Sequence, residues 1–199
     1  MTKPLAPRLH AKAWVEQHIS RPIARVLLAL HFSPTVITLL GLVVAGGAAA
    51  LIGVDHLFLG GVVMLAGASL DLWDGALARL SGRVTKFGAF LDSITDRLSE
   101  AVVLLGLLVL YVRKDEDLGV YLVFVALVAS LMVSYLRARA EGLGVSADIG
   151  ILGRPERVVV LGAGLLVGYP LYALGLIAVV ATLTVLQRVV HAAHALKDE

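Results

Sequence analysis

Between residues 34 and 190 the chain runs through six long apolar stretches separated by short polar connections, a pattern that admits few folds. Windows of about 19 residues, the length needed to cross a hydrocarbon core about 30 Å thick, place these stretches at 34–53, 57–80, 87–112, 118–140, 155–170 and 171–190. Lipid offers a backbone no hydrogen bonds, so such segments must be helices that satisfy their own N–H and C=O groups. The expectation is an all-α integral membrane protein, one domain over residues 1–199. Six transmembrane helices fill residues 34–190, and a cytoplasmic, interfacial amphipathic segment occupies residues 1–33. Composition agrees: 59% of residues are apolar and 16% charged, against about 45–50% and 25% in soluble domains. With no cysteine in the chain, disulfide scaffolds and thiolate chemistry are excluded, and the six histidines lack metal-ligand spacing.

An even number of spans puts both termini on one side, together with the connections near 80–86 and 140–154. Of the 17 Lys and Arg, only Arg113 and Lys114 fall on the opposite side. By the positive-inside rule the side of the termini is cytoplasmic, at the cell membrane. Ahead of the first span, residues 9–31 carry Leu9, Trp14, Ile19, Ile23, Leu27 and Leu30 at mostly helical spacing among charged residues. This predicts an interfacial amphipathic helix, bent at Pro22. Ser33-Pro34 reads as an N-cap and first turn, and Gly168-Tyr169-Pro170 as a tight turn between the last two spans.

Four aspartates stand inside the second and third spans, where each ionisable group costs several kcal/mol by insertion scales and is by default a functional hypothesis. Asp71, Asp74, Gly75 and Ala78 share one helical stripe; Gly88, Asp92, Asp96 and Glu100, at steps of four, form another. The short connection Ser81–Lys86 makes the two helices antiparallel neighbours. Counted from Arg83, Asp74 and Asp92 are each nine residues away, while Asp71 and Asp96 are twelve and thirteen away. The carboxylates therefore pair by depth and can converge on one spot. Packed together they repel and would protonate unless counter-charge arrives. An all-oxygen donor set with no His or Cys suits Mg²⁺ or Mn²⁺, and four carboxylates suffice for two such ions. Gly75 and Gly88 clear space beside the helix backbones, and Arg79 stands at the cytoplasmic mouth, where it could meet a phosphate. A purely structural ion-pair network would set four acids against Arg97 alone. A proton or cation transporter is the rival from another class, but the repeats and broken helices usual there are not evident.

The segment Asp71-x2-Asp74-Gly75-x2-Ala78-Arg79-x8-Gly88-x3-Asp92-x3-Asp96 resembles the signature of the CDP-alcohol phosphotransferases (CDP-alcohol phosphatidyltransferases), complete in residue type and spacing. The resemblance implies metal-dependent transfer of a phosphoalcohol unit from a CDP-lipid such as CDP-diacylglycerol to an acceptor hydroxyl, with release of CMP. On the family pattern Asp71, Asp74 and Asp92 are metal ligands, and Asp96 is a ligand or the general base on the acceptor. Gly75, Ala78, Arg79 and Gly88 line the cytidine and pyrophosphate site. The implied partners are the lipid bilayer and a second copy in a homodimer, with no nucleic acid. Where the family has Pro followed by Asn or Asp ahead of the first span, this chain has Pro34-Thr35.

A second group of residues bears on the acceptor. Ser134-Tyr135-Leu136-Arg137-Ala138-Arg139-Ala140-Glu141, Arg154-Pro155-Glu156-Arg157 and Gln187-Arg188 are similar to segments of phosphatidylinositol-phosphate and archaetidylinositol-phosphate synthases. That resemblance implies that Arg137, Arg154 and Arg188 bind the phosphate of a phosphorylated polyol, inositol phosphate, with Ser134 and Arg157 in support. Guanidinium groups suit that task because they bind phosphate bidentately and keep their charge. Gly153 stands where an acidic residue often precedes the Arg-Pro-Glu-Arg run, and glycerol 3-phosphate is the alternative acceptor.

Overall fold

The computed structural model describes residues 18, 20–147 and 149–197. These form α-helices with no strand among the described residues: α1 Arg21–Ala29, α2 Pro34–Gly53, α3 Leu57–Leu80, α4 Lys86–Arg113, α5 Asp117–Glu141, α6 Arg154–Leu166 and α7 Pro170–Ala195. Local sequence sets most of the boundaries. Ser33 caps α2, its Oγ accepting from Val36 N at 3.3 Å, and Thr85 caps α4 by accepting from Gly88 N at 2.9 Å. The exits of α3 and α6 follow one pattern, in which a glycine with positive φ (Gly82 at 66°, Gly168 at 77°) lets the next N–H turn back to the last helical turn. The bonds are Arg83 N to Ala78 O at 3.0 Å and Tyr169 N to Gly164 O at 2.7 Å.

Among the described residues four helices, α2, α3, α5 and α7, are long and apolar enough to cross a membrane. The other two expected spans fall short for different reasons. Helix α4 has the length, at 28 residues, but carries Asp92, Asp96, Arg97 and Glu100 in its interior. Helix α6 has 13 residues, about 20 Å at 1.5 Å per residue, whereas residues 155–170 were expected to span. The cause is the turn itself: Gly168 closes α6, and Pro170, lacking an N–H, opens α7. Of the expected N-terminal amphipathic helix, residues 9–17 and 19 lie outside the described residues. On the C-terminal side of Pro22, α1 is a helix with Pro22 in its first turn.

The chain divides into two compact units. One comprises the residues up to Ala45 with Ala66–Ser99; the other comprises Gly46–Leu65 with Glu100 onward. In the first, Ala24 of α1, Ile37 of α2 and Ala76 and Leu77 of α3 form a buried cluster flanked by Leu27 and Leu70. Helices α2 and α3 approach closely at Gly41 and Gly67: a β-carbon on Gly67 would stand 3.0 Å from Val44. In the second unit α7 packs on α5 and α6, with Ala129, Val133 and Ala181 in one buried cluster.

Candidate active site

Every member of the aspartate motif falls in the first unit, on the C-terminal half of α3 and the N-terminal half of α4. Asp74 is the most deeply held, 5% exposed. Its Oδ2 accepts a hydrogen bond from Thr38 Oγ1 of α2 at 2.5 Å, which fixes one oxygen and the plane of the carboxylate. Asp92 and Asp71 are near enough to Asp74 for their charges to bear on it. Asp71 lies against α2 where Gly41 omits a side chain, since a β-carbon there would stand 3.3 Å from Asp71 Oδ1. Asp92 and Asp96 are partly buried. Arg97 of α4 donates from Nη1 to Ser93 O on its own helix at 2.6 Å.

The donor set fits hard divalent cations: buried or half-buried carboxylates, a hydroxyl that orients one of them, and no soft ligand. Among the described residues no three His, Cys, Asp or Glu side chains already stand close enough together to hold an ion. Around the acids, a β-carbon on Gly75 would meet only Arg79 Nη1, at 3.5 Å, so that face is open beside an exposed guanidinium. Gly88 donates its N–H to the Thr85 cap, and Ala78 is half-buried on the same stripe as Asp71, Asp74 and Gly75.

Arg137, Arg154, Arg157 and Arg188 belong to the second unit. Arg188 of α7 is 6% exposed; its Nε donates to Ile149 O at 2.9 Å and its Nη1 to Val133 O at 2.5 Å. It is thereby joined to the backbone beside half-buried Ser134. The 149–152 loop is further pinned to α7 by Leu152 N donating to Thr184 Oγ1 at 3.3 Å. Arg137 is exposed and pairs with Glu141 Oε1 at 2.9 Å. Arg157 is buried and paired with Glu100. Arg154 opens α6, with Gly153 at the N-cap. The departure at Gly153 has a physical use: a β-carbon there would collide with Glu156 Oε2 at 2.8 Å, so glycine lets that carboxylate fold back over the helix N-terminus.

Sequence reasoning missed Thr38, the closeness of Gly41 to Asp71 and the pairing of Glu100 with Arg157. Thr38 lies 36 residues from Asp74 and Arg157 57 residues from Glu100. The one available signal was Glu100 itself, the fourth member of a stripe whose chemistry needed only two aspartates.

Compared with known protein families, residues 31–194 match CDP-alcohol phosphatidyltransferase. Among individual relatives, the archaetidylinositol phosphate synthase of Pyrococcus horikoshii is 39% identical over 181 residues, 89% of this chain and 92% of that one. The phosphatidylinositol phosphate synthase of Mycobacterium tuberculosis is 40% identical over 151 residues, 73% of this chain and 69% of that one. The crystal structure of the M. tuberculosis enzyme with CDP-DAG bound superposes with a TM-score of 0.80 at 35% identity, covering 87% of this chain and 93% of that one. A second structure of that enzyme, in complex with manganese and citrate, also gives 0.80. The chain belongs to the CDP-alcohol phosphatidyltransferase family.

Proposed function

We propose that this enzyme transfers the phosphatidyl group of CDP-diacylglycerol, or a related CDP-lipid, to the hydroxyl of inositol phosphate, releasing CMP. The observation that carries the reading is the complete aspartate motif on two helical stripes, in a chain 35–40% identical to synthases of inositol phospholipids. Asp71, Asp74, Asp92 and Asp96 would hold two divalent cations, Mg²⁺ or Mn²⁺, which when bound polarise the pyrophosphate and stabilise the departing CMP. Thr38 holds Asp74 in its liganding orientation. Asp96 accepts the proton of the acceptor hydroxyl. The hydroxyl oxygen bonds to the phosphorus that bears diacylglycerol, and the bond from that phosphorus to CMP breaks. Arg79, with the open backbone at Gly75 and Gly88 and the small side chain of Ala78, receives the nucleotide and its phosphates. Arg137, Arg154, Arg157 and Arg188, with Ser134, bind the acceptor's phosphate.

The same reading has the chain cross the membrane six times, with α4 and α6 completing the set through packing against other protein rather than lipid. Both termini and the aspartates face the cytoplasm, which the bias of Lys and Arg supports. The enzyme works as a homodimer, checked by cross-linking in membranes. The test of function is CMP release from CDP-diacylglycerol with Mg²⁺ or Mn²⁺, offering inositol 1-phosphate, glycerol 3-phosphate, serine and free inositol in parallel. Release that depends on inositol 1-phosphate is expected. Release with glycerol 3-phosphate alone would make the enzyme a phosphatidylglycerophosphate synthase, and ion flux in proteoliposomes without CMP release would make it a transporter.

A further inference from the structure

Glu100 follows Asp96 at the same step of four that separates Asp92 from Asp96, so stripe position alone would make it one more carboxylate for the cations. Its contacts assign it elsewhere. Arg157 Nε donates to Glu100 Oε1 at 2.7 Å and Arg157 Nη2 to Glu100 Oε2 at 2.8 Å, so one guanidinium engages both carboxylate oxygens in a fork. Arg157 is 2% exposed, and the Glu100 side chain is only 13% exposed. A buried fork of this kind is shielded from solvent competition and fixes the plane of both groups. Lysine, a point charge on a flexible stem, could not reproduce it.

The fork leaves Arg157 one further donor group. Nη1 is buried with no hydrogen-bond partner among the described residues, and a buried donor left in that state is costly unless a ligand or water oxygen meets it. Arg157 stands three residues after Arg154 on α6, and these positions share a helix face. A guanidinium held rigidly by Glu100, with an unused N–H edge beside a second arginine, is prepared to receive an oxyanion.

We propose that Glu100 is a positioning residue for the transferase reaction: it holds the Arg157 guanidinium so that Nη1 meets the phosphate of the acceptor, and it touches neither the cations nor either substrate. This rests on the phosphorylated-acceptor reading above, and the experiment separates the two. The full-length enzyme is assayed for CMP release with CDP-diacylglycerol, inositol 1-phosphate and Mn²⁺, as wild type, Glu100→Gln, Glu100→Asp and the double variant Glu100→Met/Arg157→Met. The apolar double variant guards against misfolding, because a buried ion pair replaced by side chains of similar volume is often tolerated.

Glu100→Gln loses the charge on one arm of the fork and should raise the acceptor KM about tenfold or more, as loss of a charge-assisted hydrogen bond does. The KM for CDP-diacylglycerol and the Mn²⁺ midpoint should not move. Glu100→Asp, shorter but charged, should recover part of the loss, and the double variant should fold and show the raised acceptor KM. A shifted Mn²⁺ midpoint would make Glu100 a metal ligand and overturn the proposal. Equal rises in both KM values, or an unchanged acceptor KM with lowered thermal stability, would reduce the pair to a structural tie and overturn it as well. Failure of the wild type to use any phosphorylated acceptor would remove the functional reading itself, without reference to a variant.

Discussion

Thr38→Val gives the sharpest single-residue test of how the aspartates are held. Valine keeps the shape of threonine at the α2–α3 contact and removes only the hydroxyl. That hydroxyl donates to Asp74 Oδ2 at 2.5 Å, and both side chains are buried, Thr38 6% and Asp74 5% exposed. The same single hydroxyl proton is shared with Pro34 O at 3.0 Å, a contact within one helix. A hydrogen bond to a charged acceptor is worth about 1.5–3 kcal/mol, and each 1.4 kcal/mol is a factor of about ten. If the whole of that energy serves to orient Asp74 for a cation, the Mn²⁺ midpoint should rise about 10- to 100-fold. The assay is CMP release titrated with Mn²⁺ at saturating CDP-diacylglycerol and acceptor, alongside thermal unfolding of the same preparation. A midpoint and a maximal rate both within about twofold of wild type, a difference of roughly 0.4 kcal/mol, would refute the reasoning. So would tighter Mn²⁺ binding, because Thr38 would then be competing with the cation for Asp74.

Further outcomes follow from the same geometry. Asp92→Asn and Asp96→Asn should each abolish CMP release while the protein still folds and inserts, with retained activity in either removing that residue from the site. Arg188→Ala should raise the KM for the acceptor more than for CDP-diacylglycerol. It should also lower stability by about 2–4 kcal/mol, since the carbonyls of Ile149 and Val133 lose a buried charged donor; a thermal shift assay measures this, and an unchanged melting temperature would contradict the observed contacts. Gly150→Ala should destabilise by about 1–3 kcal/mol, because φ is 121° at Gly150 and a β-carbon there would overlap Thr184 Cγ2. Arg137→Ala should leave stability within about 0.5 kcal/mol, its i,i+4 pair with Glu141 being exposed, so any rise in acceptor KM there would report binding rather than folding.

What was legible in the sequence was local or periodic. The bounds of α2 and α3 coincide with the expected spans, because Ser33-Pro34 starts one helix and the hydrophobic runs end at residues that turn the chain, Asp55 and Gly82. The acidic stripes were legible because steps of three and four survive in any straight helix. The early end of α6 was harder to see, since its apolar run continues through Val167 into the turn. The partners of the buried polar groups were not legible at all. Which face of α2 meets Asp74, and which helix supplies a base to Glu100, depend on helix rotation and packing order, and no spacing rule carries those. Arg97 was the nearest base in sequence, yet it bonds Ser93 on its own helix, whereas Arg157 reaches Glu100 from α6.

The claim that the four aspartates form one cation site is tested most directly by Mn²⁺ binding to the purified enzyme without substrates, followed by electron paramagnetic resonance. Saturable binding that is lost or greatly weakened in Asp71→Asn, Asp74→Asn and Asp92→Asn alike is the expected result. Equal Mn²⁺ occupancy in the wild type and in a variant lacking all three carboxylates would contradict it.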